Sequence, residues 1–256
     1  MRETIAQLAR FLANVVVPWR KIKALFACRL IALDKQPGVR PIGIGETLRR
    51  LIGKAITNVT GEDLCDTFGV EQLAGGIEGG IEGSIHALRT LYEEKKNEGF
   101  GLLMLDAANA FNSINRKAAL INAKTEWPRA STFLYNSYQC PAELVIKNTE
   151  KRIFSREGTT QGDPMSMLFY GMALMPLIRK LRNTKKYVQS FNADDASCCG
   201  TFENMKVWLD EIIAIGPKYG YYPEPSKSYI VVEEKFVGKY GCKFVGLDET
   251  KKRIQR

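Results

Sequence analysis

Residues 191–200 read FNADDASCCG and set two adjacent aspartates, Asp194 and Asp195, inside a run of small and apolar residues. A carboxylate is rarely buried without a partner, because stripping water from it is costly. On its own the pair fits two readings. A surface turn accommodates aspartate easily, and two adjacent carboxylates also suit a metal ion. The flanking runs, YVQSFN and ASCCG, have the length of two short strands, which makes a hairpin with the aspartates at its tip.

A second isolated carboxylate lies upstream. GLLML, residues 101–105, reads as a buried strand and ends at Asp106. Aspartate is a good N-cap, so capping of a following helix explains Asp106 as well as a functional role does. If Asp106 and the 194–195 hairpin occupy neighbouring strands of one sheet, their carboxylates converge. They then form a hard-oxygen site suited to Mg²⁺, which takes one or two protein carboxylates together with substrate phosphates. Two such ions about 3.5–4 Å apart activate a 3′-hydroxyl and stabilise a leaving pyrophosphate. Between the two acidic stretches lies REGTTQGDPMSMLFY, residues 156–170. Gly158 and Gly162 bracket a flexible loop, Pro164 suits the first turn of a helix, and Gln161 offers hydrogen bonds to a base or sugar. Alone, QGDP is a turn that starts a helix. In the order Asp…QGDP…DD it carries more information.

The 256 residues are 45% hydrophobic, 10% aromatic and 25% charged, as in an ordinary globular protein of one large domain or two joined subdomains. No apolar run reaches the roughly 18–20 residues of a membrane span, and the N-terminal stretch lacks the pattern of a secretory signal. An intracellular protein without a membrane partner is the expectation, in cytoplasm or nucleus. The six cysteines include no CxxC pair and His86 is the single histidine, which disfavours zinc and suggests reduced, buried thiols. The net charge of +9 is uneven: residues 1–60 carry +8, residues 61–150 carry −5, and residues 227–256 carry +4. Positive charge at the two ends of the chain suits a polyanion held between them, although solubility alone also explains it.

Along the chain, an amphipathic helix runs to Pro18, CRLIALDK and the run after QPG form a strand pair, and residues 45–68 have helical spacing. A glycine loop then leads into a helix ending near Gly99. After Asp106 come a helix, another near 128–138, a hairpin (AELVIKN and KRIFSREG) and a long apolar helix. The 187–200 hairpin, an amphipathic helix and a final strand near YIVV follow. Strands and helices mix without strict βαβ alternation, which indicates α+β.

Taken together, residues 29–230 resemble the reverse transcriptase domain, most closely that of non-LTR retrotransposons. LDAANAF resembles its first catalytic motif, with Asp106 as metal ligand. GTTQGDPMSMLFY resembles the motif that positions template and nucleotide through Gln161 and Gly162. NADDA resembles the second catalytic motif, with Asp194 as metal ligand and Asp195 beside it. GYYPEPSKSY resembles the motif that follows, where Lys227 serves the triphosphate or protonates the leaving pyrophosphate. In the fingers segment ALDKQPGVRPIGIGETLRRLIGKAI, the resemblance makes Lys35 and Arg40 grips for the triphosphate, and EQLAGG puts Gln72 near the template. Phe111 becomes a steric gate against a 2′-hydroxyl.

The implied fold is α+β, a right-hand polymerase with fingers at 1–100 (including a palm-proximal helix) and an antiparallel palm sheet flanked by helices at 101–256, the thumb largely missing. The implied activity is RNA-directed DNA synthesis from dNTPs on an RNA template and DNA primer, with two Mg²⁺ ions (Mn²⁺ as a substitute) at Asp106, Asp194 and Asp195. A source in a larger retrotransposon polyprotein follows from the same resemblance. An RNA-dependent RNA polymerase and an inactive nucleic-acid-binding palm are the alternatives. Two departures stand out. Asn192 replaces an aromatic residue two before Asp194, and Glu224 replaces an asparagine and brings an extra acid near the nucleotide.

Overall fold

The computed structural model describes residues 2–36, 38–75, 77–182 and 187–240, with side chains to residue 237. Its elements run α1 (Arg2–Asn14), α2 (Trp19–Phe26), β1 (Cys28–Asp34), β2 (Val39–Gly45), α3 (Thr47–Thr60), α4 (Asp63–Phe68) and α5 (Gly80–Lys95). They continue with β3 (Phe100–Leu105), the single turn α6 (Ala110–Ser113), α7 (Arg116–Glu126), α8 (Pro128–Tyr138), β4 (Ala142–Ile146) and β5 (Arg152–Ser155). The last are α9 (Ser166–Arg182), β6 (Tyr187–Asn192), β7 (Asp195–Thr201), α10 (Phe202–Tyr219), β8 (Tyr229–Val231) and α11 (Glu234–Tyr240). This is the α+β mixture read from the sequence. The stretch KYGCKFVGLDE, a candidate primer-grip hairpin, lies outside the described residues from 241 on. No helix among the described residues is long and apolar enough to cross a membrane.

The contacts divide the chain into two compact units, each discontinuous in sequence: Met1–Thr67 with Phe111–Ala173, and Phe68–Ala110 with Leu174–Arg256. The first unit holds a four-stranded sheet in the order β2-β1-β4-β5, with β1 and β4 parallel and the other pairs antiparallel. The amphipathic helix expected up to Pro18 ends already at Asn14, as α1, and a second helix, α2, begins after the proline. Val15, Val16 and Val17 are β-branched, and Pro18 disfavours the helical conformation of the residue before it. The break is fixed by the fully buried Asn136. Its Nδ2 donates to the carbonyls of Leu12 (2.9 Å) and Val15 (2.8 Å), and its Oδ1 accepts from the Val17 N–H (2.9 Å). The helical run at 45–68 is likewise split, between α3 and α4. There Trp127 Nε1 donates to the Thr60 carbonyl at 2.8 Å and takes it out of the helical ladder.

The deepest polar feature of this unit is an ion pair. Arg49 on α3, 4% exposed, binds Asp163, whose side chain is 6% exposed. Tyr138 Oη donates to the same carboxylate at 2.8 Å, and the guanidinium lies 5.1 Å from the Phe26 ring centre. Burial opposes the charge on Arg49, but Asp163, Tyr138 and Cys28 together outweigh it and hold its pKa above the ordinary value. The Asp163 Oδ1 also accepts from the Met165 N–H at 3.0 Å, so the same carboxylate starts α9.

The second unit holds a wholly antiparallel sheet in the order β6-β7-β3-β8. Side chains alternate across it. Cys199 and Leu102 pack with Leu88 and Tyr92 of α5, whereas a Cβ at Gly101 would meet Met205 of α10, so the two helices cover opposite faces. Phe191 is fully buried, 6.2 Å from Trp208 and 6.4 Å from Tyr221 between ring centres.

Asp163→Ala leaves the Arg49 charge buried and unpaired. It should destabilise the protein by about 3–5 kcal/mol in urea unfolding followed by circular dichroism. A second expectation concerns the thiols. Burial pushes Cys199 up to about 11 and Cys198 well above its ordinary value, so neither is thiolate at pH 8. Iodoacetamide at that pH should label the half-buried Cys65 and Cys140 quickly, and Cys198 and Cys199 only after denaturation, as read by peptide mass spectrometry.

Candidate active site

The ladder between β3 and β7 pairs Leu105 with Ala196, so the next residues, Asp106 and Asp195, face each other at the same end of the sheet. The β6–β7 hairpin pairs Asn192 with Asp195 and leaves Ala193 and Asp194 as a two-residue turn. The sheet thus brings Asp106 to Asp195 of the hairpin, while Asp194 lies in the turn beside it. Asp106 does not cap a helix, since α6 begins only at Ala110. Burial and the charge of Asp106 both raise the pKa of Asp195. Lys227 Nζ lies 3.2 Å from Asp106 Oδ2, with the two side chains 42% and 28% exposed. Among the described residues no three His, Cys, Asp or Glu side chains form a ready-made metal cage.

The turn is held from behind. Ala193 has φ +53°, a left-handed conformation that glycine usually takes at this position of a hairpin. The buried Gln72 compensates for it. Gln72 Oε1 accepts from the N–H groups of Ala193 (2.9 Å) and Ala74 (3.1 Å), and its Nε2 donates to the Ala193 carbonyl (3.4 Å). Tyr221 Oη donates to the Asp194 carbonyl at 2.9 Å, and the Phe191 N–H donates to the Glu71 carbonyl at 2.7 Å. Gln72, which the resemblance put near the template, is thus an internal brace of the aspartate turn. The sequence offers one signal for this, a glutamine at the head of the apolar run QLA. Tyr221 gives no such sign among the neighbouring tyrosines.

The segment after α10 closes the other side of Asp106. The Asp106 carbonyl accepts from the Glu224 N–H at 2.8 Å, and Ser228 Oγ lies 3.4 Å from the Asp106 N–H and 2.8 Å from the Glu224 carbonyl. This lattice sets Lys227 beside Asp106. Glu224, read as an added acid near the nucleotide, is turned to local use. Its Oε1 accepts from Ser226 Oγ at 2.7 Å, which lowers its pKa. Strand alternation explains Asn192 too: Phe191 points into the aromatic core and Asn192 is left half-buried.

The remaining site residues belong to the first unit. Gln161 is half-buried, and its carbonyl accepts from the Gly43 N–H at 2.9 Å. With Gly43, Asn112 and Phe154 it lines a pocket of about 350 Å³. The loop bracketed by glycines is pinned, not flexible. A Cβ at Gly158 (φ +71°) would lie 2.3 Å from the Phe111 carbonyl, and one at Gly162 (φ +106°) 2.8 Å from that of Gly43. The buried Arg116 fastens the same loop through the carbonyls of Ser155 (2.8 Å), Glu157 (2.8 Å) and Gly158 (3.0 Å). Phe111 is half-buried and stacked on Tyr170, with ring centres 4.7 Å apart. Lys35 and Arg40 are exposed at the tip of the β1–β2 hairpin.

Comparison with known proteins gives a family match, a distant relative and a shared fold. The family model described as reverse transcriptase (RNA-dependent DNA polymerase) matches residues 33–248. The retrovirus-related Pol polyprotein from type-1 retrotransposable element R2 of Nasonia vitripennis is 25% identical over 167 residues, which are 60% of this chain and 16% of that polyprotein. Among solved structures, apo telomerase from Candida tropicalis matches with a TM-score of 0.65 at 13% identity, over 90% of this chain and 48% of that one. Telomerase from Candida albicans, in complex with a fragment of telomeric RNA, matches with a TM-score of 0.63 at 10% identity, over 91% and 47%. These structures share the fold.

Gln72→Ala removes the acceptor for two buried N–H groups and should cost about 1–3 kcal/mol of stability. Ala193→Gly relieves the left-handed backbone and should be neutral or mildly stabilising, by less than about 1 kcal/mol. Thermal melts of the two variants beside the parent test both signs.

Proposed function

The chain belongs to the reverse transcriptase (RNA-dependent DNA polymerase) family, and we propose that it extends a DNA primer on an RNA template with dNTPs. The observation that carries this reading is the pairing of Asp106 and Asp195 at one sheet end, with Lys227 at 3.2 Å from Asp106. Two facing carboxylates, of which Asp195 is already raised in pKa by burial and by the Asp106 charge, favour a cation between them. Their oxygen donors fit Mg²⁺ or Mn²⁺, which needs few protein carboxylates. Asp106 and Asp194 would hold such ions, with Asp195 supporting them. Bound there, the metal supplies Lewis-acid activation of the primer 3′-hydroxyl and charge relief at the leaving pyrophosphate. Lys227 brings a positive charge to where that pyrophosphate departs, as counter-charge or proton donor.

In this reading residues 1–100 are the fingers and 101–256 the palm. Lys35 and Arg40, exposed on a hairpin tip, take the triphosphate. Gln161 and Gly162 contact the template–nucleotide pair from a loop that Arg116 keeps rigid. The Phe111 ring, braced by Tyr170, excludes a 2′-hydroxyl and so selects dNTPs. The chain spans 16% of the curated relative it matches and is read as part of a larger retrotransposon polyprotein.

Primer extension on poly(rA)–oligo(dT) with dTTP and Mg²⁺ tests the reaction. The parent should extend, and Asp106→Asn and Asp194→Ala should lose at least about a hundredfold in rate, as expected when a transition-state charge loses its support. Phe111→Ala should raise rNTP relative to dNTP incorporation. Extension that persists in both aspartate variants would sink the proposal.

A further inference from the structure

A second concavity, of about 370 Å³, opens on the first unit between α7, the end of α8 and Arg156–Glu157. It lies within the size range of ligand pockets, roughly 300–1,000 Å³. Its exposed cations are Lys117, Lys124 and Arg156, none in an ion pair among the described residues, while the buried Arg116 in its wall is spent on loop carbonyls. Its one acid is engaged: Glu157 Oε2 accepts from the Arg116 N–H at 3.0 Å at the start of α7. The surface between the cations is apolar and accessible, with Ile121 59% and Tyr135 37% exposed. Arg156 and Glu157 also line the pocket that contains Gln161, so the two concavities share a wall.

Unpaired cations beside an exposed aromatic ring suit a chain of phosphodiesters with a base to lay on the ring. We propose that this pocket binds single-stranded RNA. Lys117, Lys124 and Arg156 meet its phosphates, Tyr135 and Ile121 meet a base, and the strand continues over Arg156 toward Gln161. The proposal rests on the polymerase reading above and extends it to a second contact with the strand. An acidic peptide would use the same three cations and has no need of Tyr135, so the ring favours RNA.

The test is fluorescence anisotropy of a labelled twelve-nucleotide oligo(U) against the whole chain, titrated with salt. For the parent, log affinity should fall with log salt by about 0.7 per phosphate neutralised. The variant Lys117→Ala/Lys124→Ala/Arg156→Ala should lower that slope by about 2, and Tyr135→Ala should weaken binding roughly fivefold or more with the slope unchanged. The control Lys147→Ala/Lys151→Ala, exposed cations outside the pocket, should change the slope by less than half as much as the triple variant. Melting temperatures within a degree or two of the parent confirm that these surface changes leave the fold intact. An unchanged slope in the triple variant, with salt-dependent binding in the parent, overturns the pocket and leaves the polymerase reading standing. Polyglutamate that displaces oligo(U) as well as unlabelled RNA does overturns it in favour of a peptide. A parent with no salt-dependent RNA binding sinks the nucleic-acid reading along with it.

Discussion

Gln72, a buried side chain, bonds both backbone groups of Ala193 and holds the aspartate turn in its left-handed conformation. For a residue with a Cβ that conformation costs roughly 1–2 kcal/mol, so it persists only where neighbours enforce it. Gln72, Tyr221 behind the Asp194 carbonyl, and the Glu71–Phe191 backbone bond do so together. The direction in which Asp194 and Asp195 leave the sheet depends on this brace. The register between β3 and β7 then decides that Asp106 meets them.

Two aspartates of the same chain serve opposite ends. Asp163 is enclosed with Arg49 and Tyr138, where neither charge can leave without stranding the other. Its work is architectural: it starts α9 and anchors the glycine-bounded loop ahead of it. Asp106 and Lys227 are partly solvated, and a pair of that kind contributes little to stability and is readily exchanged. A site that must admit charged ligands needs the second kind of pair. The chain keeps its tight electrostatics for the scaffold and its loose electrostatics for the carboxylates.

The family match spans most of the chain, while the two telomerase structures compared above are only 13% and 10% identical to it. A fold persists at that distance because it depends on burial pattern and register, which many side chains satisfy. The departures from the family pattern follow the same logic. Asn192 lies on the half-buried side of a strand whose other face supplies Phe191, and Glu224 is absorbed by Ser226. Neither takes the place of one of the aspartates.

The sequence by itself determined most of the elements and the strands that bring Asp106 to the 194–195 hairpin. Short apolar runs beside acids marked the two strands, glycines and prolines marked the turns, and the order of Asp106, QGDP and Asp194–Asp195 indicated the family. It could not show that the helix before Pro18 stops at Asn14, because the bonds that hold the chain there come from Asn136, more than a hundred residues away. The bracing role of Gln72 was hidden for the same reason, since its partner Ala193 is 121 residues distant. The glycine loop read as flexible because Arg116 and Phe111, which fasten it, are separate in sequence. Local propensity and periodicity are encoded in neighbours along the chain. The partner of a buried polar group is chosen only when the chain closes, and tertiary structure decided those.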